Sequence, residues 1–180
     1  MSNPFFKNCG PFKIFKILEL LNLNKDNIID QEIHDIKDLY SATNSDITFY
    51  HSKKYKEFVK NTKASFCITT LPLKDELPKK CQAIIVENVL VATSKLTSIF
   101  YPDSILDNFD SNVVEISKSL FKDKVKYGSN ALIGKNVSIG SNCLIGHNTI
   151  IEKNVVIGDN CSIGSNNIIR NTIIKNNVNV

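Results

Sequence analysis

Tryptophan is absent from this 180-residue chain, and arginine occurs once, as Arg170. Histidine occurs three times, as His34, His51 and His147, and no His/Cys/Asp grouping has the spacing of a metal site. A β-helix carbonic anhydrase needs several histidines around its metal, and the repeat region described below has one. The five cysteines (Cys9, Cys67, Cys81, Cys143, Cys161) are odd in number and form no CxxC pair, which argues against a disulfide framework and suits a reducing cytosol. No glycine-rich phosphate loop is present. No apolar run approaches the roughly 20 residues that span a bilayer. Residues 1–23 are interrupted by Asn, Lys, Gly and Glu, unlike a secretory leader. The net charge of +4 falls wholly in the last seventy residues and is scattered, so no nucleic-acid partner is expected.

What is abundant is a period of six. Ile133, Ile139, Ile145, Ile151, Ile157, Ile163 and Ile169 recur without a gap. Asn130, Asn136, Asn142, Asn148, Asn154, Asn160 and Asn166 precede them by three. Five of the isoleucines are followed by glycine, and the position two before each isoleucine holds a smaller residue, from Ala131 to Asn167. Six matches neither a helix nor one long strand; it means a short strand and a turn, repeated. Val137 and Ile139 then face inward and Ser138 outward. The Gly-x-Asn units supply the bends, both residues being expected in left-handed backbone. Three sides close a coil of eighteen residues, and stacked coils make a parallel β-helix cored with isoleucine. Cys143 and Cys161, eighteen apart, stack as buried thiols.

Outward residues also repeat by eighteen. Leu132, Ile150 and Ile168 form an apolar stripe that suggests a subunit interface. The repeat fades in through Val114, Leu120, Val125 and Tyr127. After Ile169 it slips by one, so that Ile174 and Val180 take over the inward positions. The chain ends in mid-hexad with no capping segment, and an open coil exposes core and strand edges. The expectation is an N-terminal fragment of a longer protein.

The first hundred residues alternate helical and strand patterns, which argues a small α/β domain. A helix is expected over 11–23, marked at its start by Gly10-Pro11, with Phe12, Phe15, Ile17, Leu18 and Leu21 apolar. Residues 33–39 fit strand or helix equally. Strands are expected over 47–50, 64–70 and 83–87, with a loop over 72–80. Ser52 is placed to cap a helix over 53–60. A second helix over 88–100 has Leu90, Val91, Leu96 and Ile99 on or near one face. The division is 1–102 for the α/β domain, 103–112 for a linker and 113–180 for the repeats.

One motif links the two halves to a known family. Asp46-Ile47-Thr48-Phe49-Tyr50-His51-Ser52-Lys53-Lys54-Tyr55 resembles the segment in which UDP-3-O-(3-hydroxyacyl)glucosamine N-acyltransferases of lipid A biosynthesis carry a Phe and a Tyr six apart. Ala64 before a hydrophobic strand, Ala83 to Asn88, and Phe100-Tyr101-Pro102 also fall where that family has comparable segments. The resemblance covers nearly the whole chain. It implies an α/β domain followed by a left-handed parallel β-helix of hexapeptide repeats, truncated here. It implies that Phe49 and Tyr55 hold the uracil ring of a UDP-sugar between aromatic faces. Ser52 stands where the family has an asparagine that contacts the base, and Asn88-Val89 where it has Asn-Pro.

The resemblance further implies transfer of a 3-hydroxyacyl chain from acyl carrier protein to the 2-amino group of a UDP-3-O-acyl-glucosamine. No cofactor or metal is called for. It implies a homotrimer, for which the Leu132/Ile150/Ile168 stripe is suited, and a cytoplasmic enzyme of a Gram-negative bacterium, with peripheral association at the inner membrane in keeping with its lipid substrate. The family's catalytic histidine lies several coils further along, beyond residue 180. Ile145-Gly146-His147-Asn148 imitates its hexad but arrives too early, and His147 is read as an exposed turn residue, leaving this chain inactive alone. Two alternatives stay open: another hexapeptide acyltransferase using acyl-CoA and a UDP-sugar, or a non-catalytic β-helix scaffold.

Overall fold

The structure is a computed structural model that describes residues 4–105 and 108–180. The chain divides into two compact units, Met1–Leu106 and Asp107–Val180.

The first unit is built on a four-stranded parallel sheet ordered Asp35–Ile36, Asp46–Tyr50, Phe66–Thr69, Gln82–Ile85. Its two central strands are buried on both faces, which is why they read as continuous apolar runs. One face carries Ile47, Phe66, Ile68 and Ile84. It packs on Ile14, Ile17 and Leu18 of helix Ile14–Leu20 and on Val89, Ala92, Leu96 and Phe100 of helix Val89–Phe100. The other face presents Tyr50 and Cys67 to Leu39, Ala42, Val59 and Leu73. Asn88 caps the long helix, its side-chain oxygen accepting from the Val91 amide at 3.1 Å.

Three local expectations change. The first helix starts at Ile14 rather than at Pro11, because Phe12 and Lys13 pair antiparallel with Ile33 and Glu32. The ambiguous stretch after Gln31 becomes two short strands, Glu32–Ile33 and Asp35–Ile36. On helix Val89–Phe100 the buried face is Val89/Ala92/Leu96/Phe100, whereas Leu90 and Val91 are exposed. Apolar content alone could not choose between these faces, since both follow helical spacing.

The second unit is a three-sided coil. Its sides are three parallel sheets: Val137–Ile139/Val155–Ile157/Thr172–Ile174, Lys126–Tyr127/Leu144–Ile145/Ser162–Ile163, and Leu132–Ile133/Ile150–Ile151/Ile168–Ile169. Ile139 lies over Ile157, Ile145 over Ile163, and Ile133, Ile151 and Ile169 in one column. All seven inward isoleucines are buried. The one-residue slip is present, as Ile157 pairs with Ile174, seventeen residues on. At the lower end Ile116, Phe121 and Val125 join the core, whereas Leu120 is 84% exposed and Val114 pairs antiparallel with Ile133. Leu120 therefore does not extend the repeat. Within 103–112, residues Pro102–Ile105 form a 3-10 turn, Leu106 and Asp107 lie outside the described residues, and Asp110 is buried in the second unit, its amide donating to Glu152 Oε1 at 3.5 Å.

The corners divide their labour differently from the expectation. Left-handed backbone falls on the asparagines alone: Asn130 through Asn166, then Asn171 and Asn177, have φ of 46–60°. Among the described residues no glycine has a positive φ. Glycine is needed because successive corners touch. A Cβ on Gly140 would lie 2.7 Å from the Gly158 carbonyl carbon and 2.8 Å from the Asp159 amide nitrogen. The asparagine side chains then bond upward in ladders, Asn130 to Asn148 at 3.0 Å and Asn136 to Asn154 at 2.8 Å. Inward thiols and hydroxyls donate to the next coil's carbonyls, Cys143 to Gly158 at 3.1 Å and Thr149 to Gly164 at 2.7 Å.

Asp46, at the head of the central strand, is the first unit's most constrained carboxylate. It is 1% exposed and accepts from Thr43 N and Oγ1 (2.8 and 2.6 Å) and from Lys37 Nζ (3.0 Å). Burial alone would raise its pKa, but the Thr43 bonds and the Lys37 ammonium outweigh burial and hold it below the ordinary value.

Denaturant unfolding tests these roles. Asn148→Ala should cost about 1–2 kcal/mol through its left-handed backbone and Asn148→Gly less, while Gly140→Ala should cost about 1–3 kcal/mol by overpacking. Asp46→Asn should cost about 1.5–3 kcal/mol near neutral pH. Because folding lowers the Asp46 pKa, the native state favours the ionised form. The gap to the parent is therefore full above about pH 4 and closes as the pH falls through the lower native value.

Candidate functional site

The carboxyl ends of parallel strands are where α/β sheets place their ligands, because the loops there diverge and leave a crevice. Strand Asp46–Tyr50 ends in this way, at Phe49-Tyr50-His51. Alternation puts Ile47 and Phe49 on one face and Tyr50 on the other, where its ring is fully buried. The chain then leaves the sheet at His51, and Ser52, in extended backbone, starts a 3-10 turn, Lys53–Tyr55, that runs into helix Lys56–Val59. The expected single helix over 53–60 is thus two short pieces, and Tyr55 sits at their joint.

This path brings Phe49 and Tyr55 to one cleft of about 360 Å³. Asp38, Leu39, Tyr40, His51 and Phe58 complete its lining. Phe49 is half-buried, Tyr55 is 37% exposed and Phe58 54% exposed, so the aromatic faces are open to a guest. The His51 ring lies 5.4 Å from that of Tyr55, tilted by 48°. A largely apolar cleft of this size with a few polar heads fits a flat heteroaromatic group.

Ser52 is not among the lining residues. Its hydroxyl accepts from the Lys54 amide at 3.3 Å and its carbonyl from the Tyr55 amide at 3.0 Å. The structure uses it as the cap that aims Tyr55. The residues overlooked in the sequence are His51, adjacent to the motif's serine, and the turn Asp38-Leu39-Tyr40 after strand Asp35–Ile36. The latter carries no local signal, since only the sheet order brings it beside Phe49.

Two charged groups stabilise the walls. Asp38 Oδ1 accepts from the Tyr40 and Ser41 amides at 2.8 and 2.9 Å, and Oδ2 from Ser41 Oγ at 2.6 Å. The Ser41 hydroxyl above all holds its carboxyl below the usual range, against a smaller opposing effect of burial. Behind the cleft the Tyr50 hydroxyl donates to Glu76, which also accepts from Lys56 Nζ at 3.2 Å. Burial, then the Glu76 carboxylate, push the Tyr50 pKa up to about 12. Lys56 follows Tyr55 directly, so this cluster ties the Tyr55 turn to the 3-10 segment Leu71–Glu76.

In the second unit His147 is exposed at a coil corner. Its Nδ1 accepts from the Ser129 amide at 2.8 Å and its own amide donates to Ser165 Oγ at 3.0 Å. With Nδ1 so engaged, the neutral ring carries its proton on Nε2 and offers no free lone pair to a substrate proton. The stripe Leu132/Ile150/Ile168 is present, in register on one side, with Ile168 67% exposed. Among the described residues no three His, Cys, Asp or Glu side chains are grouped to hold a metal ion, and no helix is long and apolar enough to cross a membrane.

Residues 30–99, which include the whole cleft, match the family model of UDP-3-O-(3-hydroxymyristoyl) glucosamine N-acyltransferase, LpxD. Residues 124–158 and 136–171 match the bacterial transferase hexapeptide repeat. Proteins named UDP-3-O-acylglucosamine N-acyltransferase are similar: that of Rickettsia typhi is 39% identical over 108 residues, that of Rickettsia prowazekii 38% over 104, and that of Rickettsia canadensis 39% over 103. Each match takes in 56% of this chain and 30% of the relative, so the chain spans under a third of the length of the curated relatives it matches. The chain therefore carries a segment that matches the UDP-3-O-(3-hydroxymyristoyl) glucosamine N-acyltransferase family model, followed by a left-handed β-helix of bacterial-transferase hexapeptide repeats.

Proposed function

We propose that the first unit binds the uridine end of a UDP-sugar, with the base between Phe49 and Tyr55. We further propose that the chain serves an N-acyltransferase of lipid A biosynthesis. In that reaction the 2-amino group of UDP-3-O-acyl-glucosamine attacks the thioester carbonyl of a 3-hydroxyacyl chain on acyl carrier protein. A new C–N bond forms, the C–S bond breaks, a base takes the amine's proton and the carrier thiol leaves. Both partners are organic molecules and proton transfer is the only assistance the step requires, so no cofactor is assigned.

The observation that carries the reading is the joint lining of one apolar cleft by Phe49 and Tyr55. A neutral planar base gains from two aromatic faces whatever its edge pattern. The names of the Rickettsia proteins support the choice of sugar nucleotide and reaction. The base is assigned outside this chain, since His147 spends Nδ1 on Ser129, and the chain alone is proposed to be inactive. The stripe Leu132/Ile150/Ile168 is proposed as the homotrimer contact, and the cytoplasm, with peripheral contact at the inner membrane, as the place of action.

Titration with UMP or UDP should give saturable NMR shifts at Phe49 and Tyr55. Phe49→Ala and Tyr55→Ala should each weaken binding about tenfold or more, base–aromatic stacking being worth about 1–3 kcal/mol. Silence at both residues favours the scaffold alternative. In the complete enzyme His147→Ala should change turnover only a few-fold; a loss of about a hundredfold or more would make His147 the general base.

A further inference from the structure

Two aromatic faces hold a base but do not read it. Specificity for a nucleobase comes from a polar group at the base edge, where each donor or acceptor left unpaired costs affinity. The resemblance puts Ser52 where the family has a base-contacting asparagine, but Ser52 does not line this cleft, and its hydroxyl accepts from the Lys54 amide at 3.3 Å as a turn cap.

Among the lining side chains Asp38 and His51 carry polar heads other than the tyrosine hydroxyls. Asp38 has three acceptor positions filled by Tyr40 and Ser41. A carboxylate is also acceptor-only, so it repels the two carbonyl oxygens of a uracil edge. His51 differs on each count. Its ring nitrogens have no hydrogen-bond partner among the described residues, its side chain is exposed, and its ring lies beside Tyr55 at 5.4 Å. A neutral imidazole offers one donor and one acceptor, which matches the carbonyl and imide N–H that alternate along a uracil edge.

We infer that His51 is the residue that reads the base in this cleft, donating an imidazole N–H to a carbonyl of a uracil ring stacked on Tyr55. This rests on the proposed uridine reading of the same cleft and adds the group that sets its specificity. Ser52 acts one step back, as a positioning residue that shapes the Tyr55 turn.

The test uses the whole chain with UMP as the probe, by calorimetry and by NMR of 15N-histidine. His51→Ala should weaken UMP binding about tenfold, the usual size for one edge hydrogen bond. His51→Gln, which restores a donor, should recover part of the loss, and Ser52→Ala should lose less than His51→Ala. The His51 ring nitrogens should shift with UMP and stay in place with ribose 5-phosphate. Amide spectra of each variant check that it is folded. If UMP does not bind, or binds independently of Phe49 and Tyr55, the uridine reading fails and takes this inference with it. If binding needs both aromatics yet His51→Ala stays within twofold, or Ser52→Ala loses more, the uridine reading stands and His51 is overturned as the reader.

Discussion

Corner-on-corner contact is the constraint on which the second unit depends. An isoleucine column closes only if each coil sits directly on the last, and that requires backbone to meet backbone at the turns. Glycine makes the approach sterically feasible at Gly140, where a single methyl group would collide with the coil above. Asparagine turns the chain with φ near 55–60° at positions such as Asn142, Asn148 and Asn166 and then ties the turns together by its side-chain amide. Where glycine is missing, at Glu152 and Arg170, the corner is charged instead, with Arg170 Nη1 4.0 Å from Glu152 Oε2. The aliphatic core and the polar corners are thus two sides of one register.

The first unit is governed by a different rule. Its parallel sheet needs apolar cover on both faces, and it obtains this from two helices on one side and a smaller cluster around Tyr50 and Leu73 on the other. The strand that satisfies both faces ends by throwing Phe49 and His51 into the cleft. Tyr55 reaches the same place because Ser52 caps the turn and the Tyr50–Glu76–Lys56 cluster holds its far side. The cleft is a by-product of how the central strand terminates.

The repeat was legible because its signal is redundant. Every hexad states the same isoleucine and the same asparagine, so the coil, its eighteen-residue register and even the slip at Ile174 could be read off in advance. The roles within the corner are not separable in sequence, because glycine and asparagine both tolerate left-handed backbone and only the folded chain shows which one uses it. The spacing of Phe49 and Tyr55 in a motif leads to the expectation of a shared site, and the structure places both on one cleft. Ser52 is expected at the base from its motif position and stands in the structure as a turn cap outside the cleft lining, because a motif position says where a residue stands in sequence, while a cap or a ligand contact depends on which way the hydroxyl turns. His51 and the Asp38–Tyr40 turn were overlooked because their proximity is made by sheet order, which no local pattern encodes. The exposed Leu90 and Val91 have a related cause: a helix with apolar residues on more than one face does not announce which face meets the sheet.

The central claim is that the Phe49/Tyr55 cleft holds a uracil ring between its aromatic walls. Crystals of the chain grown with UDP test it most directly. The account predicts density for the base stacked between the two rings, with its polar edge turned to His51 and the diphosphate leading out of the cleft. UDP bound at another surface, or a cleft kept closed by collapse of Phe58 and Tyr55 onto Phe49, would contradict it.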